Sequence, residues 1–156
     1  MKISFLNLIE LPRETQLQCR DWRNSANVVK YFDVKYIDQK LHLKWLKSMN
    51  KKNPKNIAFA IKANEEFIGM VYLKNINYKI KSAEIAIYVH KIDYKNKGIG
   101  FQALNFIINF SKNKFQELYL TCFDDNLNAL NLYKKIGFTY QEKINDKISK
   151  YNLILN

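Results

Sequence analysis

Two glycines separated by one residue, Gly98 and Gly100, stand at the start of a predicted helix and could bind an anion there. The residues before them alternate like a strand, and apolar side chains recur at helical spacing through residues 101–110. Glycine lets the backbone approach a ligand closely, and the first N–H groups of a helix have no acceptor within it. Lys95 and Lys97 add positive charge at the same place. We therefore predict that this stretch binds a pyrophosphate.

Two familiar glycine motifs do not fit this stretch. The dinucleotide-binding motif G-x-G-x-x-G needs a third glycine where this chain has Ala103, and it follows the first strand of its fold rather than lying past the middle of the chain. The P-loop motif G-x-x-x-x-G-K-[ST] is absent. A plain helix start with surface lysines is an alternative that the glycine pair alone leaves open.

A second segment, residues 125–138, follows a predicted strand and also carries polar groups at regular spacing. Asn126 is a favourable residue for the N-cap of a helix, and Gly137 stands where that helix would end in a left-handed residue. Between them, Ala129 and Tyr133 fall on one face at helical spacing. The segment predicts a capped helix that presents Tyr133 next to the glycine pair.

Taken together, the two segments resemble the GNAT family of N-acetyltransferases, whose motifs read (Q/R)-x-x-G-x-(G/A) and N-x-x-A-x-x-x-Y-x-x-x-G-F. The resemblance covers roughly the whole chain. One position departs from it, because Lys95 stands where the family has Gln or Arg, which keeps a positive charge but loses a planar group. The resemblance implies an enzyme that moves an acetyl group from acetyl-CoA to a primary amine by direct attack, without a metal.

The resemblance also implies which residues bind acetyl-CoA. Backbone groups of Ile87 and Val89 would pair with the pantetheine amides, and a backbone N–H near Val89 would polarise the thioester carbonyl. Backbone amides from the glycine pair would bind the pyrophosphate. The predicted cofactor-binding residues are Ile87, Val89, Lys95, Lys97, Gly98, Ile99, Gly100, Phe101, Asn126, Ala129 and Tyr133.

Tyr133 and Glu84 are the predicted catalytic residues. A phenol, with a pKa of about 10, is close to an alkyl thiol, so Tyr133 can return a proton to the departing sulfur. Glu84 begins the strand before the glycine pair and could accept the amine proton directly or through water. A solvent-exposed carboxylate, or one paired with Lys81, is the alternative for Glu84. His90 and His42 stay open as bases.

The N-terminal half indicates the acceptor. The segments Trp22-Arg23-Asn24 and His42-Leu43 resemble a GNAT branch that acetylates the 4-amino group of UDP-linked amino sugars, including one in the pathway to pseudaminic acid. Arg23 would suit a phosphate or carbonyl group through its forked donors. The predicted substrate-binding residues are Arg23, His42, Lys74, Asn75 and Tyr88.

Other acceptors and another class of protein remain open. Residues 75–78 and 82–84 also resemble spermidine acetyltransferases, and the Trp22-Arg23-Asn24 segment is shared with acetyltransferases of protein N-termini. The net charge of +12 attracts anions such as acetyl-CoA, sugar nucleotides and nucleic acids, and it is unfavourable for a polycation. A non-catalytic acyl-CoA-binding module or a nucleic-acid binder is the alternative from a different class. The lysines are scattered rather than clustered in one stripe, which disfavours a nucleic-acid partner.

These residues must be positioned by an α/β fold with a mixed, mostly antiparallel sheet of about seven strands and four helices. The periodicity gives the order βααβββαβαββ. Predicted strands are 3–8, 57–61, 67–75, 83–89, 117–121, 139–144 and 147–155, and predicted helices are 14–24, 38–49, the helix of the glycine pair and the helix that Asn126 begins. In the GNAT fold the parallel strands, here 83–89 and 117–121, splay apart and acyl-CoA enters the gap.

Composition places further bounds on the protein. Its 156 residues suit a single core, so one domain, 1–156, is expected, and the 47% apolar fraction is typical of globular proteins. No apolar run approaches the ~18 residues of a membrane span, and the start does not resemble a signal peptide. Cys19 and Cys122 lack the spacing of a metal site or a redox pair, which favours the reduced cytoplasm. A homodimer stays open.

Overall fold

A seven-stranded sheet in the order β1-β2-β3-β4-β5-β7-β6 runs through the computed structural model, which describes all residues from 1 to 156. The strands are β1 Ile3–Asn7, β2 Ile57–Ala63, β3 Glu66–Asn77, β4 Ser82–Val89, β5 Glu117–Phe123, β6 Thr139–Lys143 and β7 Ile148–Ile154. The helices are α1 Arg13–Arg23, α2 Ala26–Val29, α3 Gln39–Ser48, α4 Ile99–Ser111 and α5 Leu127–Ile136.

The predicted order of strands and long helices is confirmed, with small shifts at the boundaries. The prediction omitted the short helix α2 and two turns of 3₁₀ helix, Leu8–Glu10 and Ile92–Tyr94. Segments of three or four residues are too short to display a helical period, so the pattern could not reveal them. The helix α4 begins at Ile99, so Gly98 is its N-cap and Gly100 lies in its first turn, and the predicted helix start at the glycine pair is confirmed.

The central feature of the sheet is an incomplete pairing between β4 and β5. These two strands are parallel, and their register runs only from Ser82↔Glu117 to Glu84↔Tyr119. From Ile85 onward, β4 pairs only with β3. The other neighbouring strands are antiparallel. The predicted splay is therefore present, and it leaves backbone groups of β4 free on the side of β5.

Apolar residues cover both faces of the sheet. On one face, α4 contributes Leu104 and Ile107 to the larger core, and each such fully buried side chain stabilises the fold by about 1.5–3 kcal/mol. On the other face, α1 and α3 contribute Trp22 and Leu46. The strand β4 alternates between the two cores, because Ile85 faces α4 while Ala86 and Tyr88 face α1 and α3. None of the helices combines the length and apolar character needed to cross a membrane.

Residues 30–37, here called the strap, connect α2 to α3 and cross over the splayed region of the sheet. Side chains of α1 and the residue after it hold the strap in place. Arg23 Nη2 donates to Val34 O at 2.6 Å. Asn24 Nδ2 donates to Ile37 O at 2.8 Å, and Ile37 N donates back to Asn24 Oδ1 at the same distance. The strap is thus attached to the α1 side of the molecule by several hydrogen bonds.

Candidate functional site

A groove of about 380 Å³ opens where β5 diverges from β4, and we call it the splay groove. Ten of the eleven predicted cofactor-binding residues line it, namely Ile87, Val89, Lys95, Gly98, Ile99, Gly100, Phe101, Asn126, Ala129 and Tyr133. Lys97 is exposed and does not line the groove. The residues that the sequence indicated from two separate segments are therefore brought together along one surface.

The start of α4 supplies free hydrogen-bond donors to this groove. The backbone N–H groups of Ile99, Gly100 and Phe101 donate to no backbone carbonyl, whereas Gln102 N donates to Gly98 O at 3.2 Å. Gly98 has φ of +79°, and a Cβ built there would meet no atom within 4 Å. The space in front of the amides is therefore open, as a bound phosphate requires.

Gly100 has a different structural role from Gly98. A Cβ on Gly100 would lie 2.9 Å from Leu132 Cδ2, so its missing side chain lets α5 pack closely against α4. The prediction attributed both glycines to the approach of a ligand. For Gly100, helix packing is a sufficient reason, although the residue also lines the groove.

Lys95 contacts α2 rather than extending freely into solvent. Its Nζ donates to Asn27 O at 3.4 Å and lies 5.8 Å from the centroid of the Tyr31 ring. Burial lowers the pKa of Lys95, and the charge of Lys30 lowers it further. The ammonium group at this position is thus held at the wall of the groove by a helix that the sequence analysis did not identify.

The helix α5 begins and ends close to its predicted positions. Gly137 has φ of +120°, and its N–H donates to Lys134 O at 3.1 Å, which closes the helix as expected. Asn126 occupies the N-cap position, but its side chain makes no capping hydrogen bond. The predicted N-cap position of Asn126 is therefore confirmed, but its side chain does not cap the helix, and the residue lines the splay groove.

Tyr133 is half-buried on α5 and lines the groove beside Ile87. Burial raises the pKa of its phenol above the ordinary value, and Cys122 raises it further. The phenol of Tyr133 is therefore a weaker acid than was assumed in the sequence-based prediction, which took its pKa to be close to that of an alkyl thiol. A thiolate formed in the same groove is also deprived of water and becomes a stronger base, which restores the drive for proton transfer.

Glu84 is 8% exposed and has a partner for each carboxylate oxygen. Asn75 Nδ2 donates to Oε1 at 2.8 Å, and Lys74 Nζ lies 3.7 Å from Oε2. Both alternatives for Glu84 are therefore wrong, since its carboxylate is neither solvent-exposed nor paired with Lys81. Its cationic partner is Lys74, which lies directly opposite Glu84 on the neighbouring strand β3. Direct proton abstraction by Glu84 would require one of these partners to move.

Two further cavities lie on the α1 side of the groove. The helix cavity, of about 250 Å³, is bounded by α1, α3, the strap and the sheet. The strap cavity, of about 310 Å³, lies beneath the strap and reaches Glu84, Cys122 and Tyr133. Arg23 and Lys74 line both cavities, so two positive groups stand beside the route to the groove.

The predicted substrate-binding residues divide between these places. Arg23, His42, Lys74 and Tyr88 line the helix cavity, and Tyr88 also lines the splay groove. Asn75 lines neither the helix cavity nor the strap cavity, and its amide is bonded to Glu84. The Nη1 atom of Arg23 is buried and has no hydrogen-bond partner.

The two histidines differ in their access to the site. His42 is buried, and its Nε2 lies 2.8 Å from Gln16 O, which makes this nitrogen a donor. Burial lowers the pKa of His42, so the ring is neutral near pH 7. His90 lines none of the three cavities, since it is stacked on Trp22 with ring centroids 4.9 Å apart. Burial, with a contribution from Lys91, lowers the pKa of His90 to about 4.

The cysteines lie beside the cavities as protonated thiols. Burial raises the pKa of Cys19 to about 12 and that of Cys122 to about 12. Cys122 is a small buried residue at the edge of the strap cavity. No group of three or more His, Cys, Asp or Glu side chains is arranged to hold a metal ion.

The residues that α2 and the strap bring to the site carry no strand or helix pattern that predicts them. Asn27, Tyr31 and Phe32 line the splay groove, and Phe32 also lines the helix cavity and the strap cavity. Tyr72 on β3 was not predicted as a site residue either. The one available signal was the concentration of aromatic residues, Tyr31, Phe32 and Tyr36, in a segment without a strand or helix pattern.

Comparison with known proteins finds matches over most of the chain. The profile of the acetyltransferase (GNAT) family matches residues 16–138. The acetyltransferase PseH of Campylobacter jejuni is 31% identical over 147 residues, which is 89% of this chain and 90% of that protein. The spermidine N(1)-acetyltransferase of Escherichia coli is 24% identical over 141 residues, covering 89% of this chain and 75% of that protein. The crystal structure of the Campylobacter jejuni N-acetyltransferase PseH superposes with a TM-score of 0.71 at 26% identity and covers 99% of both chains.

Proposed function

This chain belongs to the GNAT acetyltransferase family and is an N-acetyltransferase that uses acetyl-CoA, and we propose that its acceptor is the 4-amino group of a UDP-linked amino-deoxy sugar in a pathway of the pseudaminic acid type. The observation that carries the proposal is Arg23 Nη1, a buried donor without a partner on a residue that lines both cavities beside the groove. A buried guanidinium nitrogen needs an acceptor, and a phosphate or carbonyl oxygen supplies one. The 31% identity with the acetyltransferase PseH supports the same acceptor class.

The splay groove fits acetyl-CoA, which supplies an activated acetyl thioester when bound. The free amides of Ile99 and Gly100 and the open space before Gly98 suit its pyrophosphate. Beyond Glu84, the side of β4 that faces β5 has no strand partner, so its backbone groups can pair with the pantetheine amides. In this proposal, a backbone N–H near Val89 polarises the thioester carbonyl.

Acetyl transfer then requires a neutral amine and a proton for the departing sulfur. Tyr133 lines both the groove and the strap cavity, so its phenol can reach a sulfur atom there and donate its proton. Glu84 lines the strap cavity with Lys74 bound to it, and its charge favours the approach of an amine that has yet to lose its proton. We propose that Tyr133 is the general acid, and that Glu84 assists the amine through an intervening water.

The charges around the cavities favour an anionic acceptor. Arg23 and Lys74 line both cavities, and the net charge of the chain is +12. A sugar nucleotide carries a diphosphate, which these cations attract. Spermidine is the second candidate, because the chain is similar to a spermidine N(1)-acetyltransferase, but a polycation would have to enter past the same two positive side chains.

Arg23→Ala is expected to raise the KM of the sugar nucleotide about tenfold or more and to leave the KM of acetyl-CoA nearly unchanged. A hydrogen bond to a charged group contributes about 1.5–3 kcal/mol, and each 1.4 kcal/mol is about tenfold in affinity. The matched control is Arg20→Ala on the same helix, because Arg20 also bonds the strap, at Ile37 O, but lines none of the cavities. Steady-state kinetics with each substrate varied in turn provide the measurement.

The acceptor itself is tested by competition. A UDP-linked 4-amino sugar, spermidine and an N-terminal peptide are offered separately at equal concentration, and thiol release from acetyl-CoA is followed. The proposal requires the highest kcat/KM for the sugar nucleotide. A much higher kcat/KM for spermidine or the peptide would refute the sugar acceptor and leave the acetyltransferase activity in place.

The pH dependence follows from the raised pKa of Tyr133. A general acid is lost only as the pH rises through its own pKa, so a phenol with a raised pKa stays protonated above its ordinary value of about 10. The acceptor amine, in contrast, must be deprotonated, so kcat/KM should climb with pH and then level off without a falling limb up to about pH 10. A pH–rate profile checks this, and a limb that falls well below that pH in the wild type but not in Tyr133→Phe would contradict it.

Three further properties belong to the same proposal. One catalytic domain over residues 1–156 is supported by the single sheet to which all seven strands contribute. A cytoplasmic location is supported by the two free, buried cysteines. A homodimer remains a prediction, which light scattering would test.

A further inference from the structure

Phe32 is the only residue that lines the splay groove, the helix cavity and the strap cavity together. We propose that its ring is the partition that decides which amines reach the thioester and keeps water away from it. The proposal rests on acetyl transfer in the splay groove and deepens the proposed function by naming a specificity-determining residue on the acceptor side.

Three side chains hold the Phe32 ring in a fixed orientation. The Cζ atom of Arg23 lies 3.9 Å from the ring centroid, within the range of a cation–π interaction. The Tyr88 ring meets it edge to face, with centroids 6.1 Å apart and an interplanar angle of 79°. Lys74 Nζ lies 6.0 Å from the same centroid. Because Arg23 is itself bonded to Val34 O, the ring is fixed to the strap and to α1 together.

The route from the helix cavity to the groove passes this ring. Phe32 and Tyr88 are the only two residues that line both spaces, and their rings pack edge to face, so together they form the wall between the helix cavity and the groove. The Phe32 ring also lines the strap cavity, which borders both spaces, so its bulk limits the thickness of the part of the acceptor that carries the amine to the thioester. A narrow, flat-sided amine can pass while a broader one is held back.

The same ring separates the thioester from solvent beneath the strap. Phe32 is half-buried, and it lines the strap cavity next to Tyr133. Removal of the ring joins the three spaces and admits water. Water would then attack the carbonyl carbon and the carbon–sulfur bond would break. One proton of the water would pass to the sulfur and the other to solvent, which gives acetate and the free thiol of coenzyme A.

The test uses Phe32→Ala, Phe32→Leu and Phe32→Trp, with Tyr36→Ala as the control on an exposed ring of the same strap. Thiol release without an acceptor is measured first. The kcat/KM values are then measured for primary amines of increasing width, from ethanolamine through glucosamine to the UDP-linked 4-amino sugar. Thermal melting checks that each variant is folded.

Phe32→Ala should raise thiol release in the absence of an acceptor. It should also raise the kcat/KM of wide amines relative to narrow ones about tenfold, which is the low end of the effect of a change of shape in an apolar pocket. Phe32→Leu should do so less, and Phe32→Trp should shift the ratio in the opposite direction. If Phe32→Ala does not fold, Phe32→Leu and Phe32→Trp should still change the ratio of kcat/KM in opposite directions. Folded variants with an unchanged ratio and unchanged thiol release would overturn the proposal.

The failure of this inference can be told apart from failure of the sugar acceptor. If the wild type ignores the UDP-linked sugar and acetylates another amine of the series, the sugar proposal fails, and the ratio across the remaining amines still tests Phe32. If the wild type prefers the sugar nucleotide and the ratio does not respond to the Phe32 variants, only the partition fails.

Discussion

Tyr133→Phe is expected to lower kcat about 10²-fold and to leave the affinity for acetyl-CoA nearly unchanged, since a general acid contributes about 10²–10⁴-fold and is used only in the chemical step. The substitution keeps the ring that lines the splay groove and removes only the hydroxyl. Without the hydroxyl, the departing thiolate has to leave unprotonated, and the groove shields that thiolate from water. Steady-state kcat with saturating substrates, together with calorimetry for acetyl-CoA, gives both quantities.

The control for this substitution is Tyr140→Phe. Tyr140 lies on β6 and is 55% exposed, so removal of its hydroxyl should alter neither quantity. An unaltered kcat in Tyr133→Phe at neutral pH would show that the phenol is not the proton donor. A lowered kcat that comes with weakened acetyl-CoA binding would instead indicate a role in shaping the groove.

Gly98→Asn is expected to weaken acetyl-CoA about 10- to 100-fold, because the new side chain would fill the open space before the amides of Ile99 and Gly100. Loss of one hydrogen bond to a charged group, worth about 1.5–3 kcal/mol, gives this magnitude. Asn tolerates a left-handed backbone better than other side chains, so the φ of +79° costs little stability. Calorimetric titration with acetyl-CoA measures the effect directly.

Gly137→Asn separates this effect from backbone strain. Gly137 also has a positive φ, at +120°, and follows α5 outside the splay groove. Gly137→Asn should lose more stability in thermal melting than Gly98→Asn, because its φ lies farther from the left-handed region that Asn adopts, and only Gly98→Asn should lose acetyl-CoA affinity. Equal affinities in both variants and the wild type would refute the assignment of the pyrophosphate site.

The parts of the site that could be predicted are those with a local signal. The alternation of β4 and the helical spacing after Gly98 are read within about ten residues, which is the range over which such patterns are reliable. Gly137 was identified as a helix end because a left-handed residue there has few substitutes. The splay groove follows from these elements once the family order of strands is recognised.

The parts that could not be predicted depend on contacts between distant segments. Glu84 pairs with Lys74 because β3 and β4 place them opposite each other, whereas sequence proximity favoured Lys81. Strand register is fixed by the whole sheet and by the turn, so the sequence near Glu84 alone does not reveal its partner. Phe32 was missed for the same reason, since its position follows from Arg23, which lies on another element.

The short pairing between β4 and β5 also affects the stability of the folded enzyme. Besides its outer edges, β1 and β6, the sheet has an interior seam where β4 is unpaired from Ile85 onward. Open strand edges are templates for association with other chains. A ligand that fills the seam at a hundredfold excess over its Kd adds about 2.7 kcal/mol to the stability of the folded chain. Acetyl-CoA bound in the seam would thus protect the folded chain from unfolding and cover the backbone groups through which another chain could pair with β4.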